Sequence, residues 1–70
     1  MDSIRIFLVE DHQIVREGLR RMLELSPDMI VVGEASNGQE ALLKVPQIAP
    51  DIVITDIKMP GMDGIELTRL

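Results

Sequence analysis

Asp51-Ile-Val-Ile-Thr-Asp56-Ile-Lys-Met-Pro60-Gly-Met-Asp63-Gly64 is the stretch whose reading decides the fold. Ile52, Val53 and Ile54 run without polar alternation, as in a parallel-sheet strand covered on both faces. This third strand is expected over Asp51 to Thr55. Asp56 then stands at its carboxyl end, where open α/β sheets hold their ligands. Lys58, Met59, Pro60 and Gly61 read as a tight loop able to aim a backbone carbonyl back at the strand end.

Upstream, Ile4 to Val9 reads as a first strand, with Arg5 outward and an apolar second half. Glu10 and Asp11 follow it. His12 to about Leu25 reads as a helix with Val15, Leu19, Met22 and Leu23 on one stripe and Ile14 at its border. Asp11 is its expected N-cap. Glu17 with Arg21 and Arg20 with Glu24 are spaced to pair on the solvent face. Gly18 costs about 1 kcal/mol relative to Ala inside a helix, which suggests a close neighbour. Met29 to Ala35 reads as a second strand. A second helix follows, capped by Asn37 and carried by Glu40, Ala41, Leu42, Leu43 and Val45. Pro46 is expected to kink or end it near Lys44. Gly64 to Leu70 reads as the start of a third helix.

The order β-α-β-α-β-(α) implies α/β architecture, a parallel doubly wound sheet with right-handed crossovers. Residues 1–70 form at most one domain, and a chain this short buries only about 60% of its unfolded surface. No cysteine is present to add a disulfide or a thiolate metal site. The net charge of −5 argues against nucleic-acid binding by this segment. No apolar run approaches the roughly 18 residues of a membrane span, and the start carries no signal-peptide pattern. A cytoplasmic location is expected.

Glu10 and Asp11 end the first strand and Asp56 the third. If the strands are neighbours, about 4.8 Å apart, the three carboxylates converge. Such a hard-oxygen cluster suits Mg²⁺ or Mn²⁺ together with phosphate oxygens. Asp56 can act there as a nucleophile and become an acyl phosphate.

These residues resemble the receiver domain of two-component response regulators. The resemblance rests on Glu10-Asp11 after an apolar strand and on Asp56-Ile-Lys-Met-Pro-Gly-Met-Asp-Gly64. Val9-Glu-Asp-His-Gln-Ile-Val-Arg-Glu-Gly-Leu-Arg-Arg-Met-Leu23 is similar to the branch with a carboxyl-terminal helix-turn-helix output domain. The resemblance implies a flavodoxin-like fold, with Asp56 as the phosphorylated residue. It implies Mg²⁺ held by Glu10, Asp11, Asp56 and the Lys58 backbone carbonyl, and a histidine kinase as partner. The function implied is phospho-acceptor signalling in transcription control, without enzymatic activity of its own.

A full receiver has five strands in the order 2-1-3-4-5. The family's hydroxyl residue after strand 4 and its lysine after strand 5 have no matching positions here. The chain therefore reads as an amino-terminal fragment with weak or no phosphotransfer competence. Its third strand would be an open edge, so self-association through that edge or by exchange of elements is expected. A fragment that only self-associates, with no chemistry, is the alternative.

Blander readings stand beside these. Asp56 can be a turn residue, Glu10-Asp11 a helix cap, and Asp63 a cap or turn former. His12 reads as exposed and not catalytic. Arg16, Arg20 and Arg21 read as a solvated face, and the family resemblance implies that this helix could also help dock a histidine kinase. A phosphatase with an aspartate nucleophile fits less well, because Lys58 stands where such enzymes place a second acid. A dinucleotide site lacks its glycine-rich turn.

Overall fold

The computed structural model describes residues 3–55 with their side chains, and residues 56–59 and 62–69 by backbone alone. Six elements follow one another: β1 (Ile4–Val9), α1 (Gln13–Glu24), β2 (Met29–Ala35), α2 (Gly38–Ile48), β3 (Ile52–Met59) and β4 (Met62–Arg69). They build one sheet in the order β2-β1-β3-β4. β1 pairs parallel with β2 on one side and with β3 on the other. This is the alternating, parallel, doubly wound arrangement expected of a flavodoxin-like chain.

The central strand carries the core. Ile6, Phe7 and Leu8 are fully buried, as an uninterrupted apolar run requires. Ile6 and Leu8 pack with Ile54, and Leu19 and Leu23 of α1 lean on that cluster. Phe7 faces the other way, toward Gly33 and Ile48 at the end of α2. The β1–β2 register slips between Ile6 and Phe7, so that Ile6 pairs with Val31 and Phe7 with Gly33. A Cβ on Gly33 would lie 2.7 Å from Ile48 Cδ1 and 2.8 Å from the Phe7 ring. Only glycine lets α2 and Phe7 close over the bulged strand.

Several expectations need correction. The third strand runs on to Met59, so Lys58 lies in a ladder opposite Asp63 and not in a loop. The segment expected to open a third helix is instead β4, antiparallel to β3 from Met59↔Met62 to Ile52↔Arg69. The physical reason is twofold. Ile65 and Leu67 alternate with Glu66 and Thr68, a period that suits a strand as well as a short helix. The unpaired N–H and C=O groups along β3 also need partners, which β4 supplies. β3 therefore has a neighbour on each side, and the expected self-association through its open edge loses its basis. Pro60 and Gly61, the expected loop formers, lie outside the described residues, as do the side chains of Asp56, Lys58, Asp63 and Gly64's neighbours.

Pro46 does not end α2, which continues to Ile48. Proline removes the donor that would serve the Leu42 carbonyl. Leu42 is 76% exposed, where water can take that role. The helix end is secured instead from outside. Arg5 Nη1 donates to the Ala49 carbonyl and Nη2 to that of Ile48, both at 2.8 Å. Asn37 caps the start as expected, its Oδ1 accepting from the Glu40 N–H at 2.8 Å. α1 is capped at His12, not Asp11, with no side-chain cap bond. Gly18 has nothing within 4 Å of where its Cβ would be, so no close neighbour explains it. The apolar stripe of α1 is only half used: Leu19 and Leu23 pack, whereas Ile14, Val15 and Met22 are exposed.

Candidate functional site

The site lies where β1 hands the chain to α1. Val9 is in register with Thr55, so Glu10 leaves the tip of β1 beside Asp56, which does not end its strand as expected but lies within β3, opposite Ile65 of β4. This is also the point where the strand order reverses, since β1 is flanked by β2 and by β3. A cleft of about 300 Å³ opens there, lined by Val9, Glu10, Asp11, Ser36, Asn37, Gly38 and Thr55.

Glu10 is 3% exposed, the only buried charged residue among the described ones. Its backbone is fixed on both sides: its N–H donates to the Ala35 carbonyl at 3.0 Å, and its carbonyl accepts from Arg16 Nη1 at 2.8 Å. Its carboxylate Oε2 has no hydrogen-bond partner among the described residues. Burying a carboxylate oxygen without a donor is costly. Asp11, beside it, is exposed. His12 Nδ1 lies 2.9 Å from Asp11 Oδ1 and 3.3 Å from Glu10 Oε1. One donor atom from each of the three lies within 4.8 Å of the others.

A second polar group flanks the cleft. Arg16 Nε approaches Glu34 Oε1 at 3.3 Å, and Arg20 Nη1 approaches Glu34 Oε2 at 3.9 Å. These arginines therefore tie α1 to β2 and are not simply a solvated face. Neither expected i, i+4 pair of α1 is seen among the described residues: Arg20 turns to Glu34, and Glu17 accepts from Gln13 at 3.5 Å. Glu40 accepts from Lys44 Nζ at 2.7 Å, and from the Ser36 hydroxyl and backbone N–H. The Lys44 hydrogen bond foremost, and then those from Ser36, lower its pKa from 4.5 to about 2.

The structure thus brings Glu10 and Asp11 together, with His12 as a third donor that the sequence reading set aside. The side chain of Asp56 lies outside the described residues, and only its backbone position beside the Glu10 strand tip is on view. The tie of Arg16 to Glu34 was not read from the sequence, where Arg16 counts as part of a solvated face. Its four-residue spacing from Arg20 was the available signal, since both then face β2.

A model of the response regulator receiver domain matches residues 6–70. The chain belongs to the response regulator receiver domain family. It is 47% identical over 66 residues to the transcriptional regulatory protein LiaR of Bacillus subtilis (strain 168), covering 94% of this chain and 31% of that protein. It is 45% identical over 69 residues to a protein-glutamate methylesterase/protein-glutamine glutaminase of Carboxydothermus hydrogenoformans, covering 99% of this chain and 20% of that protein. Among solved structures, a LuxR-family two-component response regulator from Aurantimonas sp. SI85-9A1 superposes with a TM-score of 0.78 at 46% identity, covering 90% of this chain and 45% of that one. The chain spans under a third of the length of these curated relatives. Among the described residues, no helix is long and apolar enough to cross a membrane.

The donor set at the β1 tip fits the divalent ion that receivers hold at an acidic pocket. A buried carboxylate oxygen with no partner among the described residues, beside a second carboxylate, is a cation's ligand chemistry.

Proposed function

We propose that this chain is the phospho-acceptor segment of a two-component transcription regulator, with Asp56 as the residue that takes the phosphoryl group. The observation that carries the reading is the orphaned carboxylate oxygen of buried Glu10, one residue beyond the Val9–Thr55 pair and therefore beside the backbone of Asp56 in β3. Glu10, Asp11, the Asp56 carboxylate and the Lys58 backbone carbonyl would hold Mg²⁺. When bound, the ion offsets negative charge on the incoming phosphoryl group.

Asp56 supplies the nucleophile. One carboxylate oxygen attacks phosphorus, the bond from phosphorus to the donor breaks, and an acyl phosphate forms on Asp56 as the donor departs with the electron pair. The donor is a histidine kinase, the chain itself is not an enzyme, and the setting is the cytoplasm. Likeness to the transcriptional regulatory protein LiaR favours an output in transcription control. The methylesterase relative is a different output, so the role in transcription rests on that likeness alone.

The test is phosphoryl labelling from a small acyl phosphate donor with Mg²⁺, in a full-length response regulator carrying this sequence. Asp56→Asn is expected to abolish labelling. Labelling that survives the substitution overturns the assignment of Asp56.

A further inference from the structure

We propose that Asn37 is a site of self-modification: in the folded chain the Gly38 backbone nitrogen closes on the Asn37 side-chain amide and turns it into a carboxylate on the wall of the cleft. The step is independent of the phosphoryl chemistry proposed above. It needs no ion and no partner, and water is its only co-reactant.

The nucleophile is unobstructed. Ser36-Asn37-Gly38 joins β2 to α2, and Asn37 is the only asparagine of the chain. Both Asn37 and Gly38 are exposed. Gly38 is the first residue of α2, so its N–H has no acceptor within the helix. Nothing lies within 4 Å of where a Gly38 Cβ would be. The attacking nitrogen is therefore neither screened by a side chain nor tied into the helix ladder.

The cap sets the pace. The Asn37 backbone is extended, at φ −156° and ψ 171°, and closure needs ψ to turn until the Gly38 nitrogen stands over Cγ. Asn37 Oδ1, which accepts from the Glu40 N–H at 2.8 Å, opposes that turn. Opening this one bond at a helix end is a local fluctuation that leaves the core intact, and glycine lets the chain at position 38 follow.

The bonds balance as follows. The Gly38 nitrogen bonds to Cγ, the Cγ–Nδ2 bond breaks, and ammonia leaves with the proton that the Gly38 nitrogen gives up. Water then opens the imide ring on either side. Opening at Cγ leaves an aspartyl residue in place of Asn37. Opening at the backbone carbonyl leaves an isoaspartyl link, with one methylene added to the main chain. Both products add a negative charge to a net of −5. The aspartyl form still caps α2, since Asp and Asn serve equally there, and its charge suits the positive end of the helix. The isoaspartyl form shifts the cap away from Glu40. Asn37 and Gly38 line the cleft together with Glu10 and Asp11, so the chain makes that cleft more acidic as it ages.

The test incubates the 70-residue chain in mildly alkaline buffer below its melting temperature, with and without urea. Peptide mass spectrometry follows the change from amide to acid at Asn37, and chromatography separates the two products. Native wild type is expected to form both, lagging the urea-unfolded chain by about tenfold, the factor that opening one cap bond imposes. Gly38→Ala, which fills open space and should keep the circular dichroism of wild type, is expected to slow conversion by an order of magnitude or more in both conditions. No product in the native chain by the time the unfolded chain is fully converted would overturn the proposal. So would conversion of Gly38→Ala at the wild-type rate, or an aspartyl product with no isoaspartyl form, because either means direct hydrolysis without attack by Gly38.

Discussion

Arg5 and Asp51, 46 positions apart, hold each other by backbone and side chain at once. The Arg5 N–H donates to Asp51 Oδ2 at 2.9 Å, and the Asp51 N–H donates to the Arg5 carbonyl at 2.8 Å. The Arg5 guanidinium meanwhile closes α2 by binding the carbonyls of Ile48 and Ala49. A cation there also complements the negative end of the helix dipole. One exposed residue of β1 thus fixes where α2 stops and where β3 begins.

The consequence is a stability effect from a residue that looks like surface. Arg5→Ala removes two donors from helix-terminal carbonyls, and should destabilise the chain by about 1–2 kcal/mol. Arg5→Lys should recover less than half, because a single ammonium cannot reproduce the two-pronged fork. Chemical denaturation of the two variants measures both. Equal stability of Arg5→Ala and wild type would mean the α2 terminus is satisfied by water.

Glycine substitutions should go in opposite directions at two sites. Gly18 lies in α1 with open space where a Cβ would be, so Gly18→Ala should stabilise by about 1 kcal/mol through helix propensity alone. Gly33→Ala drives a methyl to within 2.8 Å of Phe7 and Ile48. It should destabilise by about 1–3 kcal/mol as an overpacking change. Thermal melts of the pair decide the matter, and a shared sign would contradict the packing described.

These sites also show what the sequence could and could not disclose. The three parallel strands were legible because Ile-Phe-Leu-Val and Ile-Val-Ile are too apolar for any place but a sheet interior. The Asn37 cap was legible because its partner Glu40 is local. Gly18 and Gly33 look alike in sequence, and only the tertiary neighbours of Gly33 separate them. The run through Pro46 depends on Arg5, a residue some forty positions away. β4 was missed because Gly-Ile-Glu-Leu-Thr-Arg suits either period, and an unpaired strand edge settled the choice. At the site, the acidic pair was legible from its place after a strand, while His12 joined it only through a backbone bend that spacing does not reveal.

Acid should weaken the start of α2 over a defined range. Glu40 has a pKa of about 2 in the folded chain against an ordinary 4.5, first because Lys44 donates to it and then because Ser36 does. The folded state therefore binds fewer protons between those values. Its stabilising contribution is whole above about pH 4.5 and is lost as pH falls toward 2. Lys44→Ala should make the fall in stability across that range shallower than in wild type. A pH series of denaturation curves tests the difference, and parallel curves would show that the ion pair is too exposed to matter.

Glu10 sets stability against binding. One oxygen of its buried carboxylate has no donor among the described residues and stands beside a second carboxylate, so the ion-free chain bears part of the cost of burying it. Glu10→Gln keeps the shape, removes the charge and adds donors, and should stabilise the ion-free chain by about 1 kcal/mol. The same change should remove the benefit of Mg²⁺. For wild type at ten times the dissociation constant, binding to the folded state alone adds about 1.4 kcal/mol, or roughly 6–11 °C in Tm for a chain of this size. Melts with and without Mg²⁺ should therefore cross: the variant higher without the ion, wild type higher with saturating ion. A variant that is less stable in both conditions would show that the Glu10 charge is satisfied within the fold, and that the pocket exists for packing and not for a cation.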